Sequence, residues 1–132
     1  MLDRARFETV AYAALRIVAG FMFLWHGSQK LLGVPGGKVA PEVFSQTWFG
    51  GIIELVCGSL IALGLFARPA AFLASGTMAV AYIQFHWKGA FGSALLPLVN
   101  RGELAVLYCF VFLLVFARGA GAVSLDRLLR RG

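Results

Sequence analysis

Charge is what this chain has least of. Six acidic and twelve basic residues make up 14 % of its 132 residues, against 60 % hydrophobic. A soluble domain of this length carries about a quarter charged residues, so a water-soluble enzyme is a poor fit and an integral membrane protein is expected. Catalytic signatures are missing too: there is no phosphate-binding Walker loop, no dinucleotide glycine pattern, no GxSxG elbow and no HExxH pair. The two cysteines, Cys57 and Cys109, lie inside apolar runs without a CxxC pair. They read as small buried hydrophobes, and whether they meet is open. Two histidines, His26 and His86, on different segments are too few to define a metal or haem site, and no metal is expected. The surplus of basic residues, +6 overall, flanks apolar runs instead of clustering with polar neighbours. That pattern argues against nucleic acid and for an anionic lipid surface. No internal repeat or low-complexity tract is evident.

Four apolar segments are present, at about 10–32, 48–66, 69–85 and 103–118, each near the roughly 20 residues that cross hydrocarbon as a helix. The expected architecture is one all-α domain over 1–132, an integral membrane four-helix bundle. Arg4 and Arg6 before the first run resemble a signal peptide, but the run contains Arg16, continues past Trp25 and offers no clear small-x-small cleavage site. A retained helix is expected. Gly33-Val34-Pro35-Gly36-Gly37 ends it, Ala67-Arg68-Pro69 makes a tight turn, and 87–102 forms the longest connector, interfacial or partly re-entrant. Ser124 suits the N-cap of a short interfacial helix over 124–131, in which leucines alternate with Arg127, Arg130 and Arg131.

Basic residues outside the spans set the orientation. Arg4, Arg6, Arg68, Arg118, Arg127, Arg130 and Arg131 fall on the side of both termini, and Lys30, Lys38, Lys88 and Arg101 on the other. The richer side faces the cytoplasm, so both termini are expected there. Trp25, Trp48 and Trp87 then all lie at the outer ends of their helices, at headgroup level.

The polar residues inside the spans are the unusual feature. Arg16, His26 and Lys30 share one face of the first helix with Gly20 and Gly27. Glu54 sits inside the second, His86 ends the third, and Asn100 and Glu103 open the fourth. In the expected topology His26, Lys30, Glu54, His86, Asn100 and Glu103 all lie in the outer half. Ionisable groups at that depth face a protein interior or a cavity. They either act as internal glue fixing the bundle's register or line a small cavity that binds a polar head or relays protons. Arg16, nearer the cytoplasmic end, either snorkels to headgroups or reaches inward to a carbonyl or a bound anion. Tyr82, Gln84 and Tyr108 read as packing residues.

Certain of these pieces, in this order, resemble the DoxX family. They are His26-Gly27-Ser28-Gln29-Lys30 after Leu15-Arg16, Gly51-Ile52-Ile53-Glu54 with Gly58 and Leu63-Gly64-Leu65, Asn100-Arg101-Gly102-Glu103-Leu104-Ala105, and Gly119-Ala120-Gly121 to Ser124-Leu125-Asp126. The resemblance spans nearly the whole chain. It implies a small multi-pass protein of the bacterial cytoplasmic (inner) membrane, similar to the small membrane subunit of a thiosulfate:quinone oxidoreductase. Its polar positions match Arg16, His26, Lys30, Glu54, Asn100 and Glu103, with quinone as the implied cofactor class and a membrane or soluble redox enzyme as the implied partner. The other function it implies is a non-catalytic scaffold docking a partner enzyme in an oxidative or thiol stress response. A solute carrier would require these short helices to assemble as a homo-oligomer.

Overall fold

The structure, a computed structural model, describes residues 3–36 and 42–130; Lys38 and Arg131 lie outside this set. Among the described residues all regular structure is helical. Helix α1 spans Arg4–Leu32, α2 Gln46–Leu63, α3 Ala67–Ala81, α4 Glu103–Arg118, and a short α5 Leu125–Leu129. Beyond Ala81 the third helix widens into π-type turns, Tyr82–Trp87, and the connector folds into two single helical turns, Gly92–Leu95 and Pro97–Asn100. Two helices, α1 and α2, are each long and apolar enough to cross a membrane unaided.

The helix limits differ from the expected spans for local reasons. Helix α1 begins at Arg4 instead of near Val10, because the polar Arg4 and Glu8 pair one turn apart at 3.0 Å. Helix α2 starts where Ser45 Oγ accepts the amide of Trp48 at 3.1 Å. It stops short of Phe66 because Gly64 adopts a left-handed conformation (φ 70°) and Leu65 N–H bonds back to Leu60 O at 2.9 Å. Ser124 does cap the last helix, accepting from Arg127 N at 3.3 Å.

The helices pack in chain order. Helices α1 and α2 lie antiparallel and very close, because glycines spaced by seven residues, Gly20 and Gly27 on one and Gly51 and Gly58 on the other, share a face. A Cβ on Gly58 would come within 2.6 Å of Leu24 N, so backbone runs against backbone. Small residues give this approach where no hydrophobic effect drives helices together in lipid. Helix α3 offers Ala67, Ala70, Ala71 and Ala74 to α4, which answers with Ala105, Tyr108, Phe112 and Val115, all buried. Phe23 of α1 reaches Phe112 edge-on, with ring centroids 4.7 Å apart, and closes the centre of the core. Cys57 and Cys109 are both free thiols; Cys109 lies beside Ser75 instead, Sγ to Oγ 3.6 Å.

A clamp at one end and a polar cavity at the other

The two ends of the molecule are built differently. At the α2–α3 turn, the guanidinium of Arg16, 1 % exposed, donates to three main-chain carbonyls. Nη1 gives to Ile61 O and to Ala62 O (2.8 Å), and Nη2 to Val123 O (2.5 Å). Ile61 and Ala62 belong to the last turn of α2, the negative end of its dipole, where Ile61 O also accepts from Gly64 N at 3.1 Å. Arg16 therefore does not snorkel to headgroups. Of the two roles open to it, it takes the inward one, as a cross-helix C-cap. Asp126 does the reverse for α3, whose first turn lacks a local cap: its carboxylate oxygens accept from Phe66 N (2.9 Å) and Ala67 N (3.2 Å). Tyr12 Oη donates to Gly119 O at 2.6 Å, and the Arg118 guanidinium sits 4.5 Å over the Tyr12 ring. Together these tie the segment after α4 back onto α1 and the turn.

The connector end is open. A cavity of about 760 Å³ reaches all four long helices. Its polar lining includes His26 and Lys30 from α1, Glu54 from α2, His86 from the π turns, and Arg101 and Tyr108 at the head of α4. Lys30 Nζ donates to Glu54 Oε1 at 2.6 Å; the lysine side chain is 36 % exposed and the glutamate 3 %. That leaves Glu54 Oε2 buried without a hydrogen-bond partner, and Tyr108 Oη is in the same condition. Buried polar atoms nearly always find partners; of three without one among the described residues, two belong to side chains that line this cavity and the third is Arg16 Nε at the other end. The His26 and Tyr108 rings meet edge-on, centroids 6.0 Å apart.

Asn100 and Glu103 do not line this cavity. Asn100 organises the connector: its side chain donates to Tyr82 Oη (3.1 Å) and Ala94 O (3.0 Å) and accepts from Gly102 N (2.9 Å). Its carbonyl faces His86 Nδ1 at 3.3 Å. Glu103 is exposed in the first turn of α4, where a carboxylate suits the positive end of the helix. Sequence reasoning missed Arg101 and undervalued Tyr108. Tyr108 carried a usable signal, since it stands two turns before the buried Val115 on the face toward α3. Arg101 carried none, for its place depends on a left-handed turn (φ 60°) just before α4. Among the described residues, no three His, Cys, Asp or Glu side chains gather as a metal site.

The DoxX family model matches residues 11–87, from the first turns of α1 to the end of the π turns. A protein of Haemophilus influenzae is 42 % identical over 130 residues, covering 96 % of each chain. The inner membrane protein YphA of Escherichia coli is 31 % identical and covers 85 % of each. A membrane protein of Mycobacterium tuberculosis is 32 % identical over 89 % of this chain and 80 % of its own. No solved structure matches. A family match over more than half its length, and relatives that align almost end to end, establish that this chain belongs to the DoxX family of membrane proteins.

Proposed function

We propose that this protein is a redox-associated subunit of the bacterial inner membrane that holds the head of a lipid-soluble quinone in the cavity between its helices. In this reading 1–132 is one domain, a four-span bundle with both termini cytoplasmic, and the cavity lies in the outer half of the bilayer. One observation carries it: Glu54 Oε2 and Tyr108 Oη are both buried and unpartnered in the same cavity. A buried polar atom left without a partner costs about 1–3 kcal/mol, which a suitable ligand recovers. An ionised carboxylate oxygen only accepts, so it fits the hydroxyl of a reduced head. Tyr108, Lys30 and His26 supply donors for a ring oxygen. Electrons come from a partner enzyme or a diffusible donor.

Mass spectrometry of the protein purified in gentle detergent tests this. A co-purifying quinone, lost in Glu54→Gln, supports the reading; a quinone-free wild type and a Glu54→Gln variant that behaves like it refute it.

A second reading, a scaffold that docks a partner enzyme, draws on the end of α5. Leu128 and Leu129 are exposed there beside the exposed Arg127 and Arg130, an apolar and basic face. On this reading, replacing those arginines abolishes partner recovery from native membranes, whereas Glu54→Gln alters only stability.

A further inference from the structure

The quinone reading fixes the head of the ligand and leaves the path of its tail unassigned; the inference below rests on that reading. Six glycines in α1, α2 and α3 behave in two opposite ways. Gly20, Gly27, Gly51 and Gly58 are filled by the neighbouring helix. Gly50 of α2 and Gly76 of α3 are not: a Cβ built on either would have no heavy atom within 4 Å. Both line the same cavity as Glu54. Around them the lining is apolar and exposed: Phe49 is 50 %, Leu73 49 % and Val80 47 % exposed. Such side chains on a membrane helix face lipid.

The gap between α2 and α3 is bounded at both ends. At one end the tight turn through Gly64 and Phe66 joins the two helices. At the other, Gln46 at the start of α2 donates a hydrogen bond to Gln84 in the π turns. What lies between is a window in the side of the molecule. It leads from the lipid-facing surface to a glutamate 97 % buried by its side chain, with one oxygen unpartnered. The lining along α3 runs from Phe72 to His86, about 20 Å at the usual rise per residue. An apolar lane of that length with its polar groups at one end matches a single-tailed amphiphile.

We infer that the window between α2 and α3, framed by Gly50 and Gly76, is the lateral portal through which a quinol-class ligand enters from the bilayer and where its apolar tail lies once the head is bound. Gly76 is exposed and a Cβ there meets open space, so it can be enlarged with little effect on the head site, whereas Gly50 stands one turn before Glu54 on the same face of α2.

The test uses the full-length protein in lipid nanodiscs and two probes: a benzoquinol with a ten-carbon tail and the same head with a single methyl. The wild type is expected to bind both, the long-tailed one more tightly. Gly76→Leu is expected to weaken the long-tailed probe at least tenfold and leave the methyl probe unchanged. Equal binding of the long-tailed probe by wild type and variant overturns the portal while sparing the head site. A wild type that binds neither probe overturns the head site, and the portal with it. A long-tailed probe with a photoreactive terminus needs no substitution and covers the case of a misfolded variant. It is expected to label α2 near Phe49 or α3 between Leu73 and Val80. A second, apolar groove lies between α1 and α4, lined among others by Val18 and Leu107; labelling confined to it overturns the inference.

Discussion

The two ends of this bundle use their charged side chains in opposite ways. At the turn end, Arg16 donates to three carbonyls and Asp126 accepts two amides, and every partner is main chain of the same protein. At the connector end, Glu54 satisfies one oxygen with Lys30 and leaves the other unpartnered in a cavity. Both are ionised groups in an apolar chain, so charge inside a span does not by itself mark a site. What separates them is the surroundings of the unmet atom. Arg16 Nε also lacks a partner, but its guanidinium is held by three carbonyls and does not line the cavity of about 760 Å³, whereas Glu54 does. A polar network closed on main chain holds a fold together, and one that borders a cavity is suited to receive something else.

If that division is right, the largest effect comes from the clamp. Arg16→Ala removes three hydrogen bonds from a charged donor to carbonyls of α2 and of the segment after α4. The expected loss is about 3–5 kcal/mol in detergent unfolding, with earlier proteolysis of the segment after α4. Arg16→Lys, a point charge lacking the fork, is expected to recover only part of this. The second effect inverts the readout. Glu54→Gln should lower affinity for a quinol about tenfold, roughly 1.4 kcal/mol, and leave the unfolding midpoint nearly unchanged. A large loss of stability with unaltered binding would erase the contrast between the two ends. Third, Asp126→Ala deprives α3 of its cap, at about 1 kcal/mol, and Asp126→Asn should fall between it and wild type, since one amide oxygen still accepts. The smallest effect is expected at Glu103→Gln. This exposed carboxylate should change stability by less than about 0.5 kcal/mol and leave binding untouched.

How much of this could be read from the residues follows from what each depends on. Periodicity and length locate the apolar segments, and the polar faces of α1 and α2 bring Lys30 to Glu54, because both lie beside glycines that fix the approach of those helices. Arg16 was legible as a buried-face residue but not as a cap. Its acceptors are main-chain atoms 45 to 107 residues away, and carbonyls leave no mark in a sequence. The place of Asn100 is hidden for a related reason. Asn100 looks like a polar residue opening a helix, yet its amide is consumed by the connector, whose path depends on turns at Lys88 and Arg101 that adopt φ 55° and 60°. Nor does a glycine announce what faces it: Gly50 and Gly51 are neighbours, and one meets open space while the other meets Leu31.

The Asp126 cap has a consequence for the order of assembly. Helices α1 and α2 meet through their glycine faces, so the backbone seam of that hairpin is complete once residue 64 has been made, although Tyr12 and Arg16 still await Gly119 and Val123. Helix α3 lacks such early closure, because the carboxylate that closes its first turn arrives about sixty residues later in synthesis. Domains are built from the N-terminus as the chain emerges, so α3 remains uncapped until residue 126 is in place. A chain truncated before Asp126 would therefore keep a sound first hairpin and a loosely seated third helix, and a quality-control protease would meet the defect at the turn, far from the missing residues.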